Sequence, residues 1–151
     1  MNGLDDQHRP EQTRNSHLKQ RDAMPSEPFN SLRLGRIAAM LPVSDIERSY
    51  RVYKDVFGLE KVFENGDPVG FMILQKDEAE LHLTLQKNHK AATFNVAHML
   101  VSDATETYQR CQDHRLRIIK RLQDKDYGLR AFVFADPDGN RIDVGEPISP
   151  L

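Results

Sequence analysis

Hydrophobic and polar residues alternate most clearly in residues 132–147, near the end of the chain. The stretch opens with an apolar run, passes through the turn-forming residues Asp136–Gly139 and continues as an alternation of polar and apolar side chains. Proline presets φ in such a turn and glycine tolerates positive φ, so the pattern predicts two strands joined by a tight turn. Because Ile142 and Val144 then face the core, Asp143 is expected on the opposite face of its strand.

The same pattern recurs 61 residues upstream, in residues 71–83, where Phe71 corresponds to Phe132 and His82 to Asp143. A second correspondence, at an offset of 58 residues, relates the first strand and helix of the two halves. An internal repeat of this kind predicts two modules with the same order of elements.

Each half is predicted to form a strand, a helix and three further strands. In the first half, the capping residues Ser44–Glu47 precede apolar residues at helical spacing, and Gly58 ends the helix. Pro42 cannot donate a ladder hydrogen bond, so its strand should end there or lie at a sheet edge. The second helix should begin at Ser102 or Asp103. The predicted strands are 36–43, 59–63, 69–75, 80–86, 93–101, 116–122, 129–135 and 140–145.

Helical and strand periodicity together predict one set of core residues shared by the two halves. Cys111, on the inward side of the second helix, is interpreted as a small core residue rather than a nucleophile. The predicted core comprises Ile37, Leu41, Val43, Ile46, Tyr53, Phe57, Leu81, Leu83, Met99, Val101, Tyr108, Ile142 and Val144.

The N-terminal residues 1–33 are polar, carry three prolines and show no periodicity. They cannot bury enough apolar surface to offset their ordering entropy, so we expect a disordered tail. His89 lies in a polar linker and is expected to be solvated. After the tail, the predicted divisions are a folded domain at 34–147, made of modules at about 34–86 and 93–147 with a linker at 87–92, and a C-terminal end at 148–151.

Composition narrows the class of partner. A formal net charge of −2 over 151 residues gives no reason to expect nucleic acid or an anionic membrane as a partner. No apolar run approaches the roughly 20 residues needed to span a bilayer, and the N-terminus lacks the apolar core of a signal peptide. The single cysteine excludes an internal disulfide and suits a reducing compartment, so a cytoplasmic location is expected.

The strand faces turned away from the core carry the candidate chemistry. If each sheet packs one face on its own helix, the opposite faces can line a trough with apolar walls and a few convergent polar groups, which is the usual form of a small-molecule site. The predicted ligand-binding residues on these faces are Met40, Glu80, His82, His98, Arg141 and Asp143.

Two motifs carry a resemblance to a known family. The stretches LPVSDIERSYRVYKDVFGLE and DPDGNRIDVGEP, within two predicted βαβββ modules, resemble the vicinal oxygen chelate superfamily. That superfamily includes glyoxalase I, extradiol dioxygenases, fosfomycin-modifying enzymes and bleomycin resistance proteins. The resemblance covers about residues 35–147. It implies an α+β fold in which two tandem βαβββ modules form a curved mixed sheet around a ligand trough.

The resemblance also implies four metal-ligand positions, which fall on Ala38, His82, Val96 and Asp143. Alanine and valine have no lone pair to donate, so no metal is favoured. His98 shares the face of Val96 and offers an alternative set of His82, His98 and Asp143 for a displaced Zn, Mn, Fe or Ni ion. Under that alternative the chain is a divergent metal-dependent lyase, isomerase or dioxygenase.

The loss of two ligand positions, together with the LPV-x-D and GEP motifs, most resembles the bleomycin-resistance branch. Such relatives carry out no chemistry and sequester a drug in clefts between the subunits of a dimer. The resemblance places Tyr127 where an aromatic residue often faces ligand. The favoured function is therefore metal-independent binding and sequestration of a small organic molecule by a homodimer, which leaves open whether the chain is an enzyme. A ligand sensor whose tail engages another protein is a third hypothesis.

Overall fold

Both halves of the chain fold as a strand, a helix and three strands, as the sequence predicts. The computed structural model describes residues 31–149. The first module contains β1 (Ala39–Val43), α1 (Ile46–Phe57), β2 (Glu60–Asn65), β3 (Phe71–Lys76) and β4 (Ala79–Leu85). The second contains β5 (Asn95–Leu100), α2 (Ala104–Asp113), β6 (Arg117–Asp124), β7 (Leu129–Ala135) and β8 (Arg141–Pro147).

Residues from Ile37 onward form one compact unit. The described residues before it, 31–36, are solvent-exposed. The tail predicted at residues 1–33 lies almost entirely outside the described residues, as does part of the C-terminal end at 148–151.

Each module forms its own four-stranded mixed sheet, with strand orders β1-β4-β3-β2 and β5-β8-β7-β6. In both sheets the first strand runs parallel to the last, and the other pairs are antiparallel. Pro42 lies in the edge strand β1, where its missing N–H breaks no ladder. The α+β class and the two βαβββ modules are confirmed.

The two helices begin with the same cap. Asp45 accepts a hydrogen bond from the Arg48 N–H at 3.0 Å, and Asp103 accepts one from the Glu106 N–H at 2.9 Å. Both caps are aspartates in extended backbone, so the first helix starts from Asp45 rather than from Ser44. Gly58, at φ 76°, ends α1 in the left-handed conformation that glycine adopts without strain.

One hydrophobic core joins the two modules. Most of the predicted core residues are buried, and Phe57, Met99, Val101 and Tyr108 are partly buried against them. Ile37 is 96% exposed, so its prediction is wrong, because β1 begins two residues later at Ala39. The core also contains Val56, Met72, Leu74, Phe132 and Phe134.

The repeat changes register between the two hairpins. Met72 lies opposite Leu83, and Phe132 lies opposite Val144, so Met72 is the structural equivalent of Phe132. The predicted equivalence of Phe71 and Phe132 is therefore wrong. The β3–β4 hairpin closes across residues 77–78, whereas the β7–β8 hairpin closes across residues 136–140, and the longer loop shifts the alignment.

The DPDG turn joins the modules. Asp138 accepts hydrogen bonds from the Ser44 N–H at 3.0 Å and from the Ser44 hydroxyl, and the Arg48 guanidinium lies 3.3 Å away. The Tyr53 hydroxyl donates to the Asp136 carboxylate at 2.8 Å, deep in the core. Burial raises the pKa of both Asp136 and Tyr53. The motif is thus a structural joint between the second hairpin and the start of α1.

Candidate functional site

A groove of about 720 Å³ lies where the first strands of the two modules approach each other. Its lining is mostly apolar and comes from both modules, including Phe57, Leu81 and Met99. Three polar residues also line it: Glu78, Glu80 and His98. Ligand pockets for drug-sized molecules typically occupy about 300–1,000 Å³ and combine apolar walls with a few polar groups, so this groove is the candidate site.

His98, which lines this groove, forms a hydrogen-bonded pair with Asp143. They are partners in the parallel ladder of β5 and β8, and His98 Nδ1 lies 2.9 Å from Asp143 Oδ2. A carboxylate only accepts hydrogen bonds, so Nδ1 carries the proton and, in the neutral ring, Nε2 is an acceptor. The side chains are 46% and 29% exposed, which leaves the pair open to a ligand.

Gly145 makes room for this pair. It follows Asp143 on the same face of β8, and a Cβ at this position would lie 3.4 Å from His98 Cε1. That separation is about van der Waals contact, so a side chain larger than alanine at position 145 would press on the imidazole. The glycine therefore helps set the position of the His98 ring.

His82 has a different set of partners in the first sheet. Its Nε2 lies 3.1 Å from a Glu80 carboxylate oxygen, and its ring meets the Phe71 ring edge-on at 5.4 Å. Gln75 donates a hydrogen bond to the same glutamate. Met40 lies opposite His82 in the ladder and is 61% exposed.

The structure does not bring the alternative metal set together. His82 lies in the first sheet, whereas His98 and Asp143 bond each other in the second. Across residues 31–149 no three His, Cys, Asp or Glu side chains are arranged to hold a metal ion. The ladders show what lies beside His82 instead. Its partner in β1 is Met40, which has no nitrogen or oxygen donor in its side chain, whereas the equivalent residue in β5 is His98.

A second, smaller pocket of about 90 Å³ opens on the outward face of the second sheet. Tyr127, 58% exposed, lines it together with Asp143. Asn95, Lys120 and Lys125 complete its polar lining. Sequence reasoning missed these three residues. A simple alternation count along β6 places Lys120 on the same face as Ile118, which packs against the core, and the register shift between the two residues turns Lys120 to the open face.

Three other residues considered in the sequence analysis have structural surroundings that explain them. The Arg141 guanidinium donates to the Thr93 carbonyl at 3.1 Å. His89 is not simply solvated: its ring nitrogens lie 3.0 Å from the Gln86 carbonyl and 3.3 Å from the Asp138 carbonyl. Cys111 is fully buried, and burial raises its pKa to about 12, so its thiol is suited to packing rather than nucleophilic attack.

The closing GEP motif also has a structural role. Glu146 accepts a hydrogen bond at 2.8 Å from the N–H of Ala104, the first residue of α2. A carboxylate at this end of a helix satisfies a free N–H group and complements the helix dipole. None of the helices within residues 31–149 has the length and apolar character needed to cross a membrane.

Comparison with known proteins identifies one family. Residues 33–144 match the model of the "Glyoxalase/Bleomycin resistance protein/Dioxygenase superfamily". A search of curated proteins gave no match.

Solved structures share the fold at low sequence identity. A bleomycin resistance determinant encoded on the transposon Tn5 is 21% identical with a TM-score of 0.63, covering 75% of this chain and 98% of that one. A bleomycin-binding protein complexed with bleomycin is 21% identical with a TM-score of 0.62, over the same shares of the two chains. A lactoylglutathione lyase from Agrobacterium tumefaciens is 21% identical with a TM-score of 0.60, covering 76% and 95%.

Proposed function

The chain belongs to the glyoxalase/bleomycin resistance protein/dioxygenase superfamily, and from that premise we propose that it binds and sequesters a small organic molecule without a metal. The observation that carries the proposal is the groove between the modules, with its apolar lining and with His98, whose ring is bonded to Asp143. Sequestration needs no bond making. It lowers the free concentration of the ligand by mass action, and the bound ligand stabilises the fold in return.

The groove suits an amphipathic molecule. Apolar residues from both modules would supply most of the binding free energy through burial, at roughly 25 cal/mol per Å². The Nε2 atom of His98 would accept a hydrogen bond from the ligand, while Asp143 holds the ring in one orientation. Glu80, which lines the same groove, would receive a second donor group.

The remaining predicted residues would act around this groove. Met40 offers an exposed, flexible thioether, and His82 presents a ring oriented by Glu80 and Phe71. Tyr127 offers an exposed aromatic ring beside Asp143. Arg141 lies next to the site and is tethered through its guanidinium. We expect these residues to set selectivity for the ligand rather than to react with it.

A homodimer is part of the proposal. Several large apolar side chains of the compact unit are exposed, and an interface between two copies would remove them from water. A second copy of the chain would cover them and place ligands in clefts between subunits. The exposed residues are Ile37, Met40, Val62, Phe63, Phe94 and Leu100. Light scattering coupled to size exclusion measures the oligomeric state, and the cytoplasmic location stays a prediction.

Titration calorimetry tests the binding function directly. Metal-free bleomycin is the first probe, because a protein of this fold is complexed with bleomycin. A panel of amphipathic compounds in a thermal-shift assay follows. Ligand at 100 times its Kd should stabilise the chain by about 2.7 kcal/mol. His98→Ala should weaken binding about tenfold. His114→Ala removes an exposed histidine at the end of α2 and serves as the matched control.

Metal dependence separates the two hypotheses. Under sequestration, adding EDTA or Zn, Mn, Fe or Ni changes neither affinity nor stability. The alternative of a metal-dependent lyase, isomerase or dioxygenase is favoured by one observation, the orientation of His98 by a carboxylate, which is common among metal-ligating histidines. Binding that requires metal would support the alternative. No thermal shift with any compound would contradict sequestration.

A further inference from the structure

The open face of the second sheet carries an ordered row of side chains. Lys120 lies opposite Val133, Val133 lies opposite Asp143, and Asp143 lies opposite His98. Neighbouring strands are about 4.8 Å apart, so the row crosses the sheet over roughly 14 Å. The row thus consists of an ammonium, a buried valine side chain, a carboxylate and an imidazole in sequence.

Lys120 belongs to this row, and Lys125 follows it in the chain and lines the same small pocket. Both line the 90 Å³ pocket with Tyr127, Asn95 and Asp143. Within residues 31–149, no hydrogen bond or ion pair engages either ammonium group, although other basic residues in that part of the chain are paired. The only acid in the pocket, Asp143, is bonded to His98. The pocket therefore carries two ammonium groups against one engaged carboxylate.

The dimensions of the pocket limit what it can receive. A drug-sized ligand needs about 300–1,000 Å³, so 90 Å³ accommodates a single functional group rather than a whole molecule. Two ammonium groups, an asparagine amide and a tyrosine hydroxyl offer hydrogen-bond donors to that group. Convergent donors with excess positive charge suit a small oxyanion.

We infer that this pocket is an anion subsite, and that the ligand of this protein carries an oxyanion such as a carboxylate, sulfonate or phosphate on an apolar body. The anion binds Lys120 and Lys125 beside the Tyr127 ring. The body extends along the row toward His98, whose imidazole lines the larger groove. The inference rests on the proposed binding function and adds the chemical class of the ligand.

Two fluorescent probes with one skeleton test the inference. 8-Anilino-1-naphthalenesulfonate carries a sulfonate, whereas N-phenyl-1-naphthylamine has the same aromatic body without the charge. The sulfonate probe should bind at least tenfold more tightly to the full chain. Raising NaCl from 0.05 to 0.5 M should weaken the sulfonate probe and leave the neutral probe unchanged, because salt screens exposed charges.

Variants assign the effect to this pocket. Lys120→Gln and Lys125→Gln should each weaken the sulfonate probe about tenfold without affecting the neutral probe. Asp143→Asn should strengthen the sulfonate probe, because it removes the only negative charge of the pocket. Lys90→Gln, at an exposed linker position, is the control and should change neither Kd. Thermal melts of each variant verify that it folds.

The outcomes are separable. If the neutral probe binds and the sulfonate probe binds no better, the anion subsite is wrong while the apolar site stands. If the sulfonate probe binds more tightly but both lysine variants leave its Kd unchanged, the subsite is again wrong. If neither probe binds, the proposed binding function falls with it. Selective weakening of the sulfonate probe by both lysine variants supports the inference.

Discussion

The two sheets share a backbone and differ on their open faces. In the first sheet, the row across the strands consists of Phe63, Ile73, His82 and Met40. In the second, the equivalent row consists of Lys120, Val133, Asp143 and His98. Thus an aromatic ring stands where the second sheet has an ammonium, and a thioether stands where it has an imidazole.

On the helix side, by contrast, the sheets remain alike. Leu83 and Val144 are both fully buried, and each lies opposite a large buried side chain, Met72 or Phe132. Tyr53 and Cys111, at equivalent places in the helices, are both buried. Packing constrains the core faces, because a protein interior tolerates little change in volume. The solvent-exposed positions of the open faces, such as Met40 and His98, are free of that constraint and have diverged in charge.

The largest expected effect comes from breaking the core equivalence. Phe132→Ala removes a buried ring that contacts Tyr108 and Phe134, so it should lower the free energy of unfolding by about 3–5 kcal/mol. Phe71→Ala, on the open face beside His82, should cost clearly less. Urea unfolding of the two variants measures the difference. Equal costs would restore the 61-residue alignment and contradict the register described above.

A smaller effect is expected at the turns of the two hairpins. Asp138→Asn removes a carboxylate that accepts bonds from Ser44 and faces Arg48, so we expect a loss of about 1–3 kcal/mol. Asp77→Asn, in the exposed turn of the first hairpin, should lie within about 0.5 kcal/mol of the parent. Thermal or urea unfolding provides the measurement. A neutral Asp138→Asn would show that the joint between the modules does not depend on this charge.

The smallest effect is expected on the free energy of unfolding at high pH, where the buried helix residues Cys111 and Tyr53 lose their protons. The pKa of Cys111 rises from an ordinary 9.0 to about 12 in the folded chain. The folded state holds this proton more tightly than the unfolded state. The stability that follows from this difference is fully present below pH 9 and is lost as pH rises toward 12. At pH 10 the loss from this group is about 1.4 kcal/mol.

The Cys111→Ala variant isolates the pH-dependent stability that comes from the Cys111 thiol. It should have a lower unfolding free energy at neutral pH but a shallower decline between pH 9 and 12 than the parent chain. Burial raises the pKa of Tyr53 well above 10, so its own decline begins near pH 10 and should persist in the variant. Parallel slopes for variant and parent would contradict the role of the buried thiol.

The alternation of side chains predicted much of the fold and part of the site. It placed His98 and Asp143 on one open face, which the ladder of β5 and β8 bears out. Their 2.9 Å bond could not be predicted, because it depends on the register between strands that are 45 residues apart in sequence. Periodicity within one strand contains no information about the offset of its neighbour.

Two failures have local causes. Lys120 was missed because β6 shifts register on both sides of it, and a bulge breaks the simple alternation from which a face is predicted. Ile37 was placed in the core because the alternation continues past the point where β1 loses its ladder partners. In both cases the pattern along the chain is regular, while the pairing between strands is not.

The joint at Asp138 has a consequence for the order in which the chain is made. Ser44 and Asp138 are 94 residues apart, and a ribosome adds about 5–20 residues per second. The start of α1 therefore waits about 5–20 s for its acceptor. Phe57 meets the ring of Phe134 at 5.4 Å, and the 77 residues between them correspond to a wait of about 4–15 s. The first module therefore leaves the ribosome before α1 can contact Asp138 and Phe134, and its native packing is completed only after the β7–β8 hairpin has been made.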